Sequence, residues 1–131
     1  MRTGSRAGRT SQASGAGGLR LGVHPDARDP GAVRIAVNGD LDILSAPALI
    51  DCVTEQLDAG RRRLVLDLGA TAFCDARGLA AMLDARERVC ASGGALVLVG
   101  ASDLLRRSIT VTGLSEALPI VADVVAIHRS S

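Results

Sequence analysis

Two short, almost wholly apolar runs, Leu64-Val65-Leu66-Asp67-Leu68 and Ala95-Leu96-Val97-Leu98-Val99, most constrain how this chain can fold. Runs of that length, rich in branched residues and flanked by turn residues, describe strands buried on both faces for most of their length. Each is entered and left through segments whose apolar residues recur at helical spacing. Before the first run, Leu49, Ile50, Val53 and Leu57 follow that spacing, with Ser45 placed to cap the helix, Pro47 tolerated in its first turn and Gly60 ending it. Between the runs, a second helix is predicted from Ala76 or Gly78 to Ser92, with Leu79, Met82, Leu83, Val89 and Cys90 on one side, and Asp84 and Arg88 paired across one turn on the other. Gly93-Gly94 stops it. After the second run, Ser102 and Asp103 start a third helix that runs to about Val111. Strands alternating with helices through short joints imply right-handed parallel crossovers.

Ahead of this unit, Leu19 to Val23 alternates apolar and polar, His24 to Gly31 supplies turn residues, and Val33, Ile35 and Val37 alternate again. That is a hairpin with one buried face. The fold class is therefore α/β: a small, largely parallel sheet with an antiparallel edge hairpin and about four helices. The fourth helix is a short one at Asp123 to Arg129, after an edge strand or extended segment at Leu118 to Val121. Residues 1–18 contain no large apolar side chain after Met1 and read as a disordered tail, leaving 19–131 as the domain.

Composition narrows function by exclusion. A chain of 131 residues, 47% apolar, buries a core without a metal or disulfide staple. Phe73 is its one aromatic residue, so it lacks the stacking platform that single-stranded nucleic acids require. Arg2, Arg6 and Arg9 are three of the 15 basic residues, which leaves 12 against 14 acids, about −2, for the rest of the chain. That is no basic DNA-binding body, and direct nucleic-acid binding is not expected. Arg61-Arg62-Arg63 is the one local cluster, read as a solvated connection or as a docking patch for an acidic partner. Cys52, Cys74 and Cys90 lack C-x-x-C spacing and lie far in sequence from His24 and His128, so neither a metal site nor a disulfide framework is expected, and three free thiols fit a reducing cytoplasm. Cys52 and Cys90 are expected as small core residues. No run is long enough to cross a bilayer, and the basic N-terminus is not followed by the apolar stretch of a secretory signal.

Catalytic chemistry is hard to assemble. No Ser-His-Asp or Cys-His set emerges from two histidines, and neither glycine-rich phosphate-binding pattern occurs, so no cofactor is expected. Asp40, Asp42 and Asp75 each fall near the carboxyl end of a strand, where a parallel sheet gathers them on one shallow surface. Acid–base catalysis would need a pocket, and nothing in the sequence closes one. Asp42 and Asp75 are expected to accept backbone hydrogen bonds in their turns. Arg77 sets a full positive charge beside the positive end of a helix, either as a mildly unfavourable surface charge or as a contact for a partner.

Phe73-Cys74-Asp75-Ala76-Arg77-Gly78-Leu79 resembles the signature loop of STAS domains, whose usual form is Asp-Ser-Ser-Gly-Leu or Asp-Ser-Thr-Gly-Leu. Gly39-Asp40-Leu41-Asp42 resembles the Gly-Glu-Leu-Asp turn of that family, and Thr112-Gly113-Leu114 its Ser/Thr-Gly-Leu element, so that the likeness runs from about Leu19 to Val125. The resemblance implies a STAS fold and a non-enzymatic regulator, an anti-sigma factor antagonist that docks its signature loop onto an anti-sigma factor of the ATP-binding serine kinase type in the cytoplasm. It implies a partner surface of Asp40, Asp42, Asp75, Ala76, Arg77, Gly78 and Leu79, and makes Asp75 the residue that shapes the loop ahead of the phosphoacceptor. The hydroxyl that accepts phosphate in the family is replaced by Ala76. The alternative is a STAS-like accessory subunit of a membrane transporter such as a lipid ABC system.

Overall fold

The computed structural model describes residues 11–14 and 18–121. The order of elements is β1 (Ser11–Ser14), β2 (Arg20–Asp26), β3 (Asp29–Leu41), α1 (Ala46–Asp58), β4 (Arg63–Cys74), α2 (Ala76–Ala91), β5 (Ala95–Val99) and α3 (Asp103–Val111). The strands form one mixed sheet in the order β1-β2-β3-β4-β5. β1 with β2 and β2 with β3 pair antiparallel, and β3 with β4 and β4 with β5 pair parallel. An isolated parallel bridge from Leu98 to Ile120 makes the extended segment expected at Leu118 to Val121. The helix expected at Asp123 to Arg129 lies outside the described residues, as do residues 1–10 and 15–17 of the expected tail.

The core lies on one face of the sheet. Leu21, Ile35, Val37, Leu64, Leu66 and Leu98 alternate toward it and pack with Leu49 and Val53 of α1, Met82 and Val89 of α2, and Leu105 and Ile109 of α3. The opposite face carries the small buried set Val65, Val97 and Val99, and the Arg34–Asp67 ion pair at 2.8 Å. Because β4 and β5 contribute to both sets, their runs are apolar on both faces but for Asp67, which pairs with Arg34.

Five expectations change. β1 falls inside the stretch read as tail; the edge of β2 offers a row of backbone donors and acceptors, and a strand can pair with it without an apolar side chain of its own. The turn of the hairpin is far tighter than His24 to Gly31, since β2 reaches Asp26 and β3 starts at Asp29, with a register shift between Pro25 and Asp26 that accommodates the proline. β4 runs past Leu68 to Cys74, because the end of β3 offers it a parallel ladder from Asn38 to Leu41. Cys90 is exposed, not in the core: Val89 points inward, and the next residue is turned about 100° around the helix. The arginine cluster is neither a free patch nor merely solvated. Arg61 donates to the Pro30 carbonyl at 2.6 Å, Arg62 donates to the Leu57 carbonyl at 3.0 Å near the end of α1, and Arg63 pairs with Asp29, so the three clamp α1 and β4 to the start of β3.

Candidate functional site

The parallel register sets Leu41 opposite Cys74, so the chain leaves β3 and β4 side by side. The Asp40–Asp42 turn and the Asp75–Leu79 loop therefore adjoin, as the sequence predicts for the carboxyl ends of parallel strands. The Asp75 amide donates to the Leu41 carbonyl at 3.3 Å, which ties the two directly.

Asp75 is the N-cap of α2. Its backbone is extended, at φ −98° and ψ −170°, and its Oδ1 accepts from the Gly78 amide at 3.0 Å. Gly78 is buried, and a Cβ on it would stand 2.3 Å from the Leu41 carbonyl oxygen and 2.7 Å from Cys74 Sγ. The first turn of α2 thus rests against the end of β3 at a distance only glycine permits. Leu79 is 7% exposed and belongs to the core. Of the signature residues, Ala76 and Arg77 face outward, whereas Gly78 and Leu79 fix the geometry from within.

In the neighbouring turn, Asp42 Oδ1 accepts from the amides of Leu44 at 3.0 Å and Ser45 at 3.1 Å. Both Asp42 and Asp75 are thus occupied as turn acceptors, as expected of them. Ser45 does not cap α1 with its side chain, as its position suggests. Its hydroxyl instead accepts from the Asp42 amide at 2.9 Å and donates to the Asp40 carbonyl at 2.8 Å, locking the turn from a fully buried position. The pattern that placed Ser45 just ahead of the helix is local, and the bonds that hold it reach back across the turn. Asp40 forms no side-chain hydrogen bond or ion pair among the described residues.

Four large apolar side chains surround this loop in the open: Ile43 at 58% exposure, Leu44 at 63%, Phe73 at 52% and Leu104 at 69%. Three of these positions carry a signal in the sequence: Ile43 and Leu44 fall outside the helical spacing of α1, and Phe73, the chain's lone aromatic, adjoins the loop. Phe73 and Leu104 line a groove of about 190 Å³ between the end of β4 and α3, and a second groove of about 380 Å³ lies between α1 and α2. Both are open. Among the described residues no group of three or more His, Cys, Asp or Glu side chains could hold a metal ion, and no helix is long and apolar enough to cross a membrane.

Cys74 is no nucleophile. Burial, and secondarily the Asp75 carboxylate, push its thiol up to about 12, and burial with help from Glu55 pushes Cys52 up to about 11. At pH 8 both remain almost wholly protonated, since thiolate accumulates only as pH nears the raised value. A disulfide dye at that pH is expected to label exposed Cys90 within minutes and the other two far more slowly, with all three reacting rapidly in denaturant. Rapid native labelling of Cys74 would contradict this account of the loop.

The family model described as "Mlab, STAS domain" matches residues 25–122. The chain belongs to the STAS domain family. The anti-sigma-B factor antagonist of Staphylococcus aureus is 24% identical over 86 residues, covering 66% of this chain and 80% of that protein. Among solved structures, an anti-sigma factor antagonist from Mycobacterium paratuberculosis superposes with a TM-score of 0.73 at 24% identity, over 90% of this chain and 97% of that one. The Bacillus cell fate determinant SpoIIAA in its phosphorylated form superposes with a TM-score of 0.62 at 18% identity, over 86% of this chain and 99% of that one. These structural likenesses establish the STAS fold, in agreement with the α/β architecture expected from the sequence.

Proposed function

We propose that this STAS domain is a non-enzymatic regulator, an anti-sigma factor antagonist that binds an anti-sigma factor of the ATP-binding serine kinase type in the cytoplasm. One observation carries the reading: four exposed apolar side chains lie about the signature loop and its neighbouring turn, beside two open grooves. Exposed apolar groups clustered on one surface gain by burial against another protein, and such patches mark interaction sites. Both grooves are open, and Asp42 and Asp75 are engaged in holding turns, which leaves Asp40 without a second available carboxylate beside it and disfavours paired acid–base work. The Staphylococcus aureus relative, an anti-sigma-B factor antagonist, supplies the partner class. The surface consists of Asp40, Asp42, Asp75, Ala76 and Arg77 with Ile43, Leu44, Phe73 and Leu104, while Gly78 and Leu79 hold its shape. Ala76 leaves the loop without the family's phosphoacceptor, so the antagonist is constitutively competent.

The description of the matching family model as Mlab favours a second reading, an accessory subunit of a membrane transporter such as a lipid ABC system. Affinity capture with the tagged chain from its own cells, followed by mass spectrometry and reconstitution with purified candidates, separates the two. An ATP-binding anti-sigma factor that forms a 1:1 complex is the expected result, and a transporter ATPase in its place would transfer the same surface to the second reading.

A further inference from the structure

On α2, Arg77, Ala80 and Asp84 lie at i, i+3 and i+7, one stripe along the lip of the groove shared with α1. The facing wall is Ile43, Ala46 and Ile50. Ala46, Pro47, Ala80 and Ala81 line it with the two isoleucines, so it is largely apolar, and among the described residues no loop closes over it. Its charges are uneven. Asp84 is already paired with Arg88 at 3.0 Å, whereas Arg77 is exposed and has no ion pair among the described residues. The one uncompensated charge on this lip is therefore positive, and it stands at the end nearest the signature loop.

We propose that this groove seats a single amphipathic helix of the anti-sigma factor, which lays an apolar side chain against Ala80 and Ala81 and sets an Asp or Glu, three or four residues away, against Arg77. This rests on the reading above and names the partner element that the surface selects. An open trough between two helices suits a helix in a groove, read through residues spaced i, i+3 and i+4. Arg77 and Ala80 are about one helical turn apart, which matches an acid and an apolar residue one turn apart on the partner. Arg77 supplies the fork geometry that a carboxylate meets with two hydrogen bonds. The charge complementarity calls for an acid, and the trough runs on directly from the signature-loop surface. A second copy of this chain would instead bring another uncompensated Arg77 to the same place, which disfavours self-association here.

The test uses the full chain and the purified anti-sigma factor identified by capture, with Kd measured for wild type, Ala80→Gln, Arg77→Gln and Phe73→Ser. Ala80 is exposed and Gln is a good helix former, so the trough is filled without unfolding α2, which circular dichroism checks. Ala80→Gln and Arg77→Gln are each expected to weaken binding at least tenfold. If both stay within threefold of wild type while Phe73→Ser weakens binding, the trough is unused and the antagonist reading stands. If Arg77→Gln alone weakens it, Arg77 meets a carboxylate but no helix is seated, and the proposal is likewise overturned. If Ala80→Gln abolishes self-association seen by sedimentation and leaves the anti-sigma affinity unchanged, the occupant is a second copy. If the wild-type chain binds no anti-sigma factor, the antagonist reading fails and takes this inference with it.

Discussion

Gly78→Ala is expected to destabilise the domain by about 2–3 kcal/mol, the range of a forced overpacking, and to lower its melting temperature by about 10 °C. At an ordinary exposed helix position the same change stabilises by about 1 kcal/mol, because glycine is the poorer helix former. Here the new methyl would lie 2.3 Å from the Leu41 carbonyl oxygen. That oxygen also accepts the Asp75 amide at 3.3 Å, and Leu41 is fully buried, so the obstacle is backbone held in place from both sides. The first turn of α2 must lift away from β3, and Asp75 then loses its hold on the Gly78 amide. Steric overlap outweighs propensity, so the sign reverses. Equilibrium denaturation in urea decides the matter: a midpoint equal to or above that of wild type would mean that α2 does not rest on Leu41 as described.

How far the sequence foretold this arrangement varies with the reach of the interactions involved. Leu64–Leu68 and Ala95–Val99 were legible as strands because burial on both faces writes a run that is apolar but for Asp67. Ser102 was legible as a cap, since its Oγ accepts from the Leu105 amide at 3.1 Å within one turn. Asp42 and Asp75 were legible as turn acceptors for the same reason of short range. The stretch Gly69-Ala70-Thr71-Ala72 was not legible as strand, for it has no alternation; it extends because Asn38 to Leu41 pairs with it in parallel and because Thr71 Oγ1 donates to the Val37 carbonyl at 2.8 Å. Ser45 shows the same limit in miniature, since its neighbours in sequence read as a helix start and its hydrogen bonds run backward to Asp40 and Asp42. The apolar ring around the loop depends on which of two adjacent residues points outward: Leu105 is 6% exposed and Leu104 is 69%. Spacing finds the buried partner readily. The exposed one belongs to the proposed docking surface, and only the packed structure sets it apart.

Ala76→Ser is expected to convert the domain from one that takes up no phosphate on its signature loop to one that takes up about one per chain from a cognate anti-sigma kinase and ATP. In the wild type neither Ala76 nor Arg77 has a side-chain oxygen to attack the γ-phosphoryl group, and the Ser45 and Thr71 hydroxyls are committed elsewhere. Ser45 is fully buried, and Thr71 donates to the Val37 carbonyl at 2.8 Å. Position 76 is exposed and is the first residue of α2, so a serine placed there reaches solvent without disturbing the core. A phosphate on it would stand at a helix N-terminus beside Arg77, two features that favour a dianion. The same phosphate brings about −1.5 to −2 charges to the centre of a surface whose other members, Arg77 apart, are apolar or already acidic, and binding of the anti-sigma factor should then fall by two orders of magnitude or more. Intact-mass spectrometry with site mapping reads the first effect, and titration of the phosphorylated variant reads the second. Stoichiometric phosphate on Thr71 of the wild-type chain would show that the switch has moved rather than vanished. An Ala76→Ser variant that binds the kinase yet stays unmodified would mean that Arg77, in place of the family's second hydroxyl residue, blocks transfer as well.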